Sequence, residues 1–306
     1  MSRTLSPTPR ISGLSALTPY AALLGAIISL NLGTSFAKQL FPLVGAQGTT
    51  AYRVGFSALL LCLAFRPWRM TLRRQDVLRL ALYGAVLGLM NLSFYMSIRT
   101  IPLGLAIAIE FMGPLSLALV HSRRPIHFVW LGLATLGLLL LLPLGRLGAS
   151  LDPVGVAFAV AAAVFWALYI ILGKRTGHLP AGQTVALGMA TAALIVVPIG
   201  VFSAGASLFS PLTLGLGLIV AVVSSAIPYS LEMVAMRGMP KRSFGVMLSL
   251  EPAAGAIAGL LILSEHLVAT QWLAIGLIVA ASAGTILTDP ERGGEEDLSR
   301  TTPPAG

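Results

Sequence analysis

One cysteine in 306 residues, Cys62 inside a long apolar run, leaves no disulfide framework and no cysteine metal site. The four histidines, His121, His127, His178 and His266, lie near the ends of apolar segments and show no metal-ligand spacing. No Walker-type phosphate loop occurs, so ATP drive within this chain is not expected. Neither a nucleophile beside a base nor a ligand cluster points to an enzyme, and no catalytic residue, metal or cofactor is expected. Charge is scarce too, at 10% of residues against about 25% in an average soluble domain.

What fills the chain instead is hydrocarbon: 56% of residues are hydrophobic and the mean hydropathy is +0.89. About 20 residues cross roughly 30 Å of bilayer core, so the chain has room for ten spans. They are expected at 19–38, 46–65, 78–98, 102–121, 126–144, 153–173, 182–203, 212–236, 243–263 and 270–288. Backbone groups in lipid must be satisfied internally, which permits helices or a closed barrel. Runs such as Leu138 to Leu142 lack the alternation of a barrel strand, so the fold class is all-α integral membrane.

The net charge of +9 first suggests an anionic partner, but its distribution gives another reading. All basic residues except Lys38, Arg53, Arg99 and Arg146 fall in the two tails and in alternate loops. That is positive-inside patterning, so both termini are expected to be cytoplasmic and no nucleic acid is needed to explain the charge. The first apolar segment is long and lacks a small-residue cleavage site, so it reads as an uncleaved span behind a tail of residues 1–18. Residues 289–306 collect Asp289, Glu291, Glu295, Glu296 and Asp297 with Gly and Pro, the composition of a disordered acidic tail.

The chain repeats itself. Arg99, Pro102 and Pro114 recur at a shift of 138 as Arg237, Pro240 and Pro252; Lys38 matches Lys174, and Trp130-Leu131 matches Trp272-Leu273. Two copies follow, 19–144 and 153–288, with five spans each. An odd number of spans sends the second copy into the membrane from the opposite side, which predicts an inverted repeat around a shared site.

Within the spans, polar residues recur at helical spacing: Asn31, Ser35 and Lys38; Gly84, Gly88, Asn91 and Tyr95; Ser225, Tyr229 and Glu232. Such stripes face the bundle or a wet cavity, because lipid offers them no partner. Gly84/Gly88 and Gly255/Gly259 are spaced for close helix packing. Glu110 lies mid-span with Pro114 four residues on, and proline donates no N–H, so the carbonyl of residue 110 is freed beside a carboxylate. In the second copy Pro252 frees the carbonyl of Leu248 next to Glu251. A charge at this depth costs on the order of 2.5–3.5 kcal/mol on insertion scales, which marks Glu110, Glu251 and Glu232 as functional candidates. Arg53, eight residues into span two, either holds a substrate carboxylate or neutralises one of these glutamates as structural glue. Glu265, at a span end, reads as a solvated loop charge.

Glu251-Pro252 followed by Gly255, Ala258, Gly259 and Ser264-Glu265 resembles the end of an EamA-type repeat of the drug/metabolite transporter superfamily. Phe41 to Ala46, Pro102-Leu103-Gly104 with Glu110-Phe111, Ser122 to Pro125 and Pro228 to Met233 are similar to the threonine and homoserine exporters within it. The resemblance covers about residues 19–288. It implies a bacterial inner-membrane permease that exports small amino acids in exchange for protons. Its partners would be the amino acid, protons and the bilayer, with a homodimer left open. The resemblance does not assign binding residues. The site expected from the buried polar groups comprises Glu110, Glu251, Glu232, Arg53, Lys38, Asn31, Asn91, Tyr95 and Tyr229. Glutamates would alternate between proton and substrate ammonium while Arg53 or Lys38 orients the carboxylate. A permease for another small metabolite or drug is the alternative.

Overall fold

The computed structural model describes residues 13–120, 125–141, 151–176, 178–239, 244 and 247–288. Regular structure among these residues is helical throughout: α1 (Gly13–Gln39), α2 (Phe41–Phe65), α3 (Arg74–Ser97), α4 (Leu103–Val120), α5 (Ile126–Leu141), α6 (Pro153–Arg175), α7 (Ala181–Ala204), α8 (Pro211–Ala221), α9 (Ile227–Gly238), α10 (Glu251–Leu263) and α11 (Ala269–Thr288). Six segments are long and apolar enough to cross a membrane, and four shorter apolar helices accompany them. Outward faces carry large apolar side chains such as Phe202, Leu194 and Phe128, each more than three-quarters exposed, while Asn31, Thr34, Ser35, Asn91 and Glu110 turn inward. This inside-out distribution of polarity is what a lipid solvent selects. Of the expected tails, residues 1–12 and 289–306 lie outside the described residues, whereas 13–18, expected as tail, form the start of α1.

The helices deviate from plain rods where particular residues force them to. Gly45 has φ +70°, which breaks α2 after its first turn so that the long part begins at Ala46. A Cβ is disfavoured at that angle and glycine has none. Span nine, expected as one helix over 243–263, is interrupted instead: a turn at Ser249–Leu250, closed by Leu250 N–H to the Met247 carbonyl at 3.0 Å, precedes α10. Pro252 explains the break, since it sits in the first turn of α10, where a missing N–H costs least. The span expected at 212–236 is two helices joined by a π turn at Val222–Ala226.

Tertiary contacts are mostly between α1–α5 and α6–α11. Helix α2 lies along α7 and α8, α3 along α6 and α7, and α4 along α6 and α10; α1 packs on α9 and α10, and α5 pairs with α11. Small residues permit the close approaches. A Cβ on Gly84 would strike the Gly188 carbonyl and Thr191, one on Gly104 would meet the Ala256 backbone, and one on Gly113 would strike the Ala163 carbonyl. These contacts fix α4 against both α6 and α10, and therefore fix the height at which Glu110 sits.

Candidate functional site

A cavity of about 260 Å³ opens where two sets of helices, α1–α4 and α6–α10, meet. Helix α1 contributes Asn31 and Thr34, α2 Arg53, α3 Asn91 and Phe94, and α4 Glu110 and Phe111. The other set contributes Trp166 and Tyr169 from α6, Ser224 from the π turn, Pro228 and Glu232 from α9, Leu248 from just before the break and Glu251 from the first turn of α10. Six of the nine expected site residues, Asn31, Arg53, Asn91, Glu110, Glu232 and Glu251, thus line one space.

Each polar group is held by its own local structure. The Asn31 amide donates to the Ile27 carbonyl at 2.8 Å and the Asn91 amide to the Leu87 carbonyl at 2.9 Å, so both side chains lie back along their helices. A Cβ on Gly255 would strike Ile107 Cδ1 and stand 3.0 Å from Asn31 Oδ1, so that glycine makes room for both side chains. Glu251 occupies the first turn of α10, where the unpaired N–H groups and the helix dipole favour negative charge.

Arg53, on α2, is steered by a proline on α9. Pro228 has no N–H, so neither the i−4 bond to the Ser224 carbonyl nor the i−5 bond of a π turn to the Val223 carbonyl can form. Other spans supply the missing donors: Arg53 Nη2 reaches the Ser224 carbonyl at 3.4 Å, and the Ser29 hydroxyl donates to the Val223 carbonyl at 2.7 Å. The guanidinium also lies 5.5 Å from the centroid of the Tyr95 ring, a cation–π distance. Among the described residues the ion pairs join Lys38 to Glu265 and Asp76 to Arg79, with His178 Nε2 also 3.0 Å from Asp76; Glu110, Glu232 and Glu251 are in none of them.

Three expectations change. Lys38 does not line the cavity: its Nζ pairs with Glu265 at 2.5 Å near the end of α1. Glu265 is correspondingly no solvated loop charge, since its side chain is 13% exposed and also accepts from the Leu103 N–H at 2.8 Å. Tyr95 is fully buried beneath Arg53 rather than lining the cavity. The ring of Tyr229 lies outside the described residues. Sequence reasoning missed Thr34, Ser224 and the aromatic wall in which Phe111 meets Trp166 edge-on with centroids 5.2 Å apart. Ser224 was findable: the i−4 rule that singles out Glu110 from Pro114 singles out Ser224 from Pro228.

Chemically, the cavity combines one fixed cation with three carboxylates, a set that matches a small zwitterion. Cavities of about 300–1,000 Å³ hold drug-sized ligands, so this one fits a smaller solute. Residues 153–287 match the EamA-like transporter family. The chain is 49% identical to the threonine/homoserine exporter RhtA of Escherichia coli (strain K12) over 270 residues, 88% of this chain and 92% of that one. The RhtA of Salmonella typhimurium (strain LT2) shows the same identity and coverage. A protein of known crystal structure shares the fold with a TM-score of 0.53 at 22% identity, over 90% of this chain and 98% of the other. With apolar helices of spanning length around a polar internal cavity and relatives that are exporters, this multi-pass membrane protein is a transporter rather than an enzyme and belongs to the EamA-like transporter family.

Proposed function

We propose that the chain exports small amino acids, threonine, homoserine and their analogues, across the bacterial inner membrane by proton antiport with alternating access. The observation that carries this reading is the single cavity in which Arg53 and the carboxylates of Glu110, Glu232 and Glu251 share one space. The 49% identity to exporters of threonine and homoserine supplies the substrate class. Arg53 keeps its charge at any accessible pH and presents a planar fork, so it receives the substrate carboxylate. Glu110 lies at the level of the carbonyl that Pro114 leaves without a helical donor, and it receives the ammonium when deprotonated. Proton and ammonium then compete for the same carboxylate, which couples their movements in opposite directions. Glu251 and Glu232 are the further proton sites, and Tyr229 stays a candidate contact.

Ten spans in two inverted five-span repeats give this site access to each side in turn. The helix pairings support that arrangement. Advancing every span by five turns the α3–α6 contact into the contact of α1 with the α8–α9 span, α3–α7 into α2–α8, and α4–α6 into α1–α10. The pairings α2–α7, α4–α10 and α5–α11 map onto themselves. Alternating access follows when one repeat rocks against the other around the fixed site.

The test is efflux of radiolabelled threonine from reconstituted vesicles, with and without a pH gradient, beside Glu110→Gln. Gradient-driven movement that falls at least about a hundredfold in the variant, the range of general acid–base contributions, supports the antiport. Threonine movement undiminished in Glu110→Gln overturns the role of that residue. No movement by correctly inserted protein overturns the substrate.

A further inference from the structure

The two ends of the helix bundle are closed in different ways. At the end where α1 stops, Lys38 Nζ meets Glu265 Oε1 at 2.5 Å, and the other carboxylate oxygen accepts the Leu103 N–H at 2.8 Å. Lys38 also reaches the Ile101 carbonyl at 3.5 Å. Glu265, from the α10–α11 link, therefore grips both the end of α1 and the turn between α3 and α4. This contact runs from the second half of the chain to two places in the first. Its side chains are only 20% and 13% exposed.

Gly259 makes the grip feasible, because a Cβ there would stand 2.5 Å from Glu265 Oε2. Ser264, in a left-handed conformation at φ 55°, turns the chain so that the carboxylate folds back onto its own helix. A strained backbone and a missing side chain thus serve the placement of one carboxylate that is not among the residues lining the polar cavity.

At the opposite end, where α3 starts, the side-chain contact of a carboxylate between the halves, among the described residues, is Asp76 to His178 Nε2 at 3.0 Å. The Asp76 side chain is 6% exposed but His178 is 51% exposed, and the other partner, Arg79 at 3.4 Å, lies one turn along Asp76's own helix. An exposed pair is screened by water and salt, and a buried one much less.

We infer that Lys38–Glu265 is the latch of the outer gate, and that Asp76–His178 is its weaker counterpart at the inner gate. The inference rests on the alternating-access reading and on the orientation that puts Lys38 outside. Release of an exported solute requires the α10–α11 link to part from the α3–α4 turn, and that separation breaks both oxygen contacts of Glu265. The stronger contact lies outside, so the empty protein rests closed to the exterior and loads from the cytoplasm.

The test reads accessibility rather than transport. In a Cys62→Ser background, a reporter cysteine at the cavity residue Leu30 is exposed to a membrane-impermeant maleimide on intact cells. With the latch intact, labelling is slow. Glu265→Gln keeps an acceptor for Leu103 N–H and removes the charge, and Lys38→Met removes the other partner. Either change is expected to speed labelling at least about tenfold, the shift produced by a loss of about 1.4 kcal/mol in closure. Gly259→Ser, which displaces the carboxylate without altering it, is expected to act in the same direction. Unchanged labelling in all three, with the reporter still reactive in permeabilised cells, overturns the latch. Faster labelling in a protein that moves no threonine keeps the latch and discards the substrate; normal threonine efflux with unchanged labelling does the reverse.

Discussion

Arg53 shows how much one side chain depends on residues far away in sequence. Its guanidinium is a donor only and cannot lose its proton; the Ser224 carbonyl and the Tyr95 ring keep it at the cavity wall. Arg53→Lys preserves charge and loses the fork, so the KM for threonine is expected to rise at least about tenfold, in line with the roughly 1.5–3 kcal/mol of a charged hydrogen bond. Equal KM values for wild type and Arg53→Lys in vesicle efflux exclude a bidentate contact. Tyr95→Phe keeps the ring and is expected to transport like wild type. Tyr95→Leu loses a cation–π contact of about 0.5–2 kcal/mol and is expected to raise KM while leaving the maximal rate nearly unchanged. At this scale the sequence was informative where rarity speaks for itself: lone charges in apolar runs, Glu110, Glu232, Glu251 and Arg53, all reached the cavity. Lys38 and Glu265 misled in opposite senses, Lys38 as a site residue on the stripe of Asn31 and Ser35 and Glu265 as a solvated loop charge, because a residue at a span end cannot be placed until its tertiary partner is known.

Helices place these side chains through their defects. The π turn at Val222–Ala226 presses against α1, where a Cβ on Gly33 would come within 2.7 Å of the Ser224 backbone nitrogen. Backbone cannot yield as a flexible side chain can, so Gly33→Ala is expected to lower stability by about 1–3 kcal/mol, the usual cost of overpacking. It should also impair efflux by shifting the carbonyl that meets Arg53. An unchanged melting temperature in detergent argues that α1 and the π turn separate easily. Helix α6 offers a pH-dependent check at its start. Asp152 accepts from the Val154 and Gly155 N–H groups at 3.3 and 3.0 Å, and a hydrogen bond with Thr100 foremost, helped by those two, holds its carboxyl below the usual carboxylate range. A depressed pKa contributes stability that is present above the unfolded value and lost as pH falls through the folded one. Asp152→Asn is therefore expected to melt below wild type at neutral pH, with the gap closing in acid; a gap independent of pH refutes the charge's role. Helix positions were largely legible from hydropathy, but the break before Glu251 and the π turn were not, because apolar periodicity reports a face and not the backbone bonds beneath it. Pro252 and Pro228 carried that information.

For the whole molecule, duplication and charge bias make one joint claim about orientation. If five spans precede the second copy, loops at equivalent places in the two copies lie on opposite sides of the membrane. The basic loops then fall on one side only when the termini share it. Lys38 and Lys174, a matched pair in sequence, illustrate this: α1 ends at the Lys38 end of the bundle, whereas α6 ends beside His178, at the Asp76 end. Single cysteines at Ser207, between α7 and α8, and at Thr71, between α2 and α3, in the Cys62→Ser background separate the possibilities. Impermeant maleimide is expected to label Ser207→Cys on intact cells and Thr71→Cys only after permeabilisation. A carboxy-terminal fluorescent fusion should glow, since such fusions mature in the cytoplasm. Labelling of both cysteines from outside would place α2 and α7 in the same direction, and the inverted repeat would fail with it. The reverse pattern would keep the repeat and exchange the gates, making Lys38–Glu265 the inner latch of an importer.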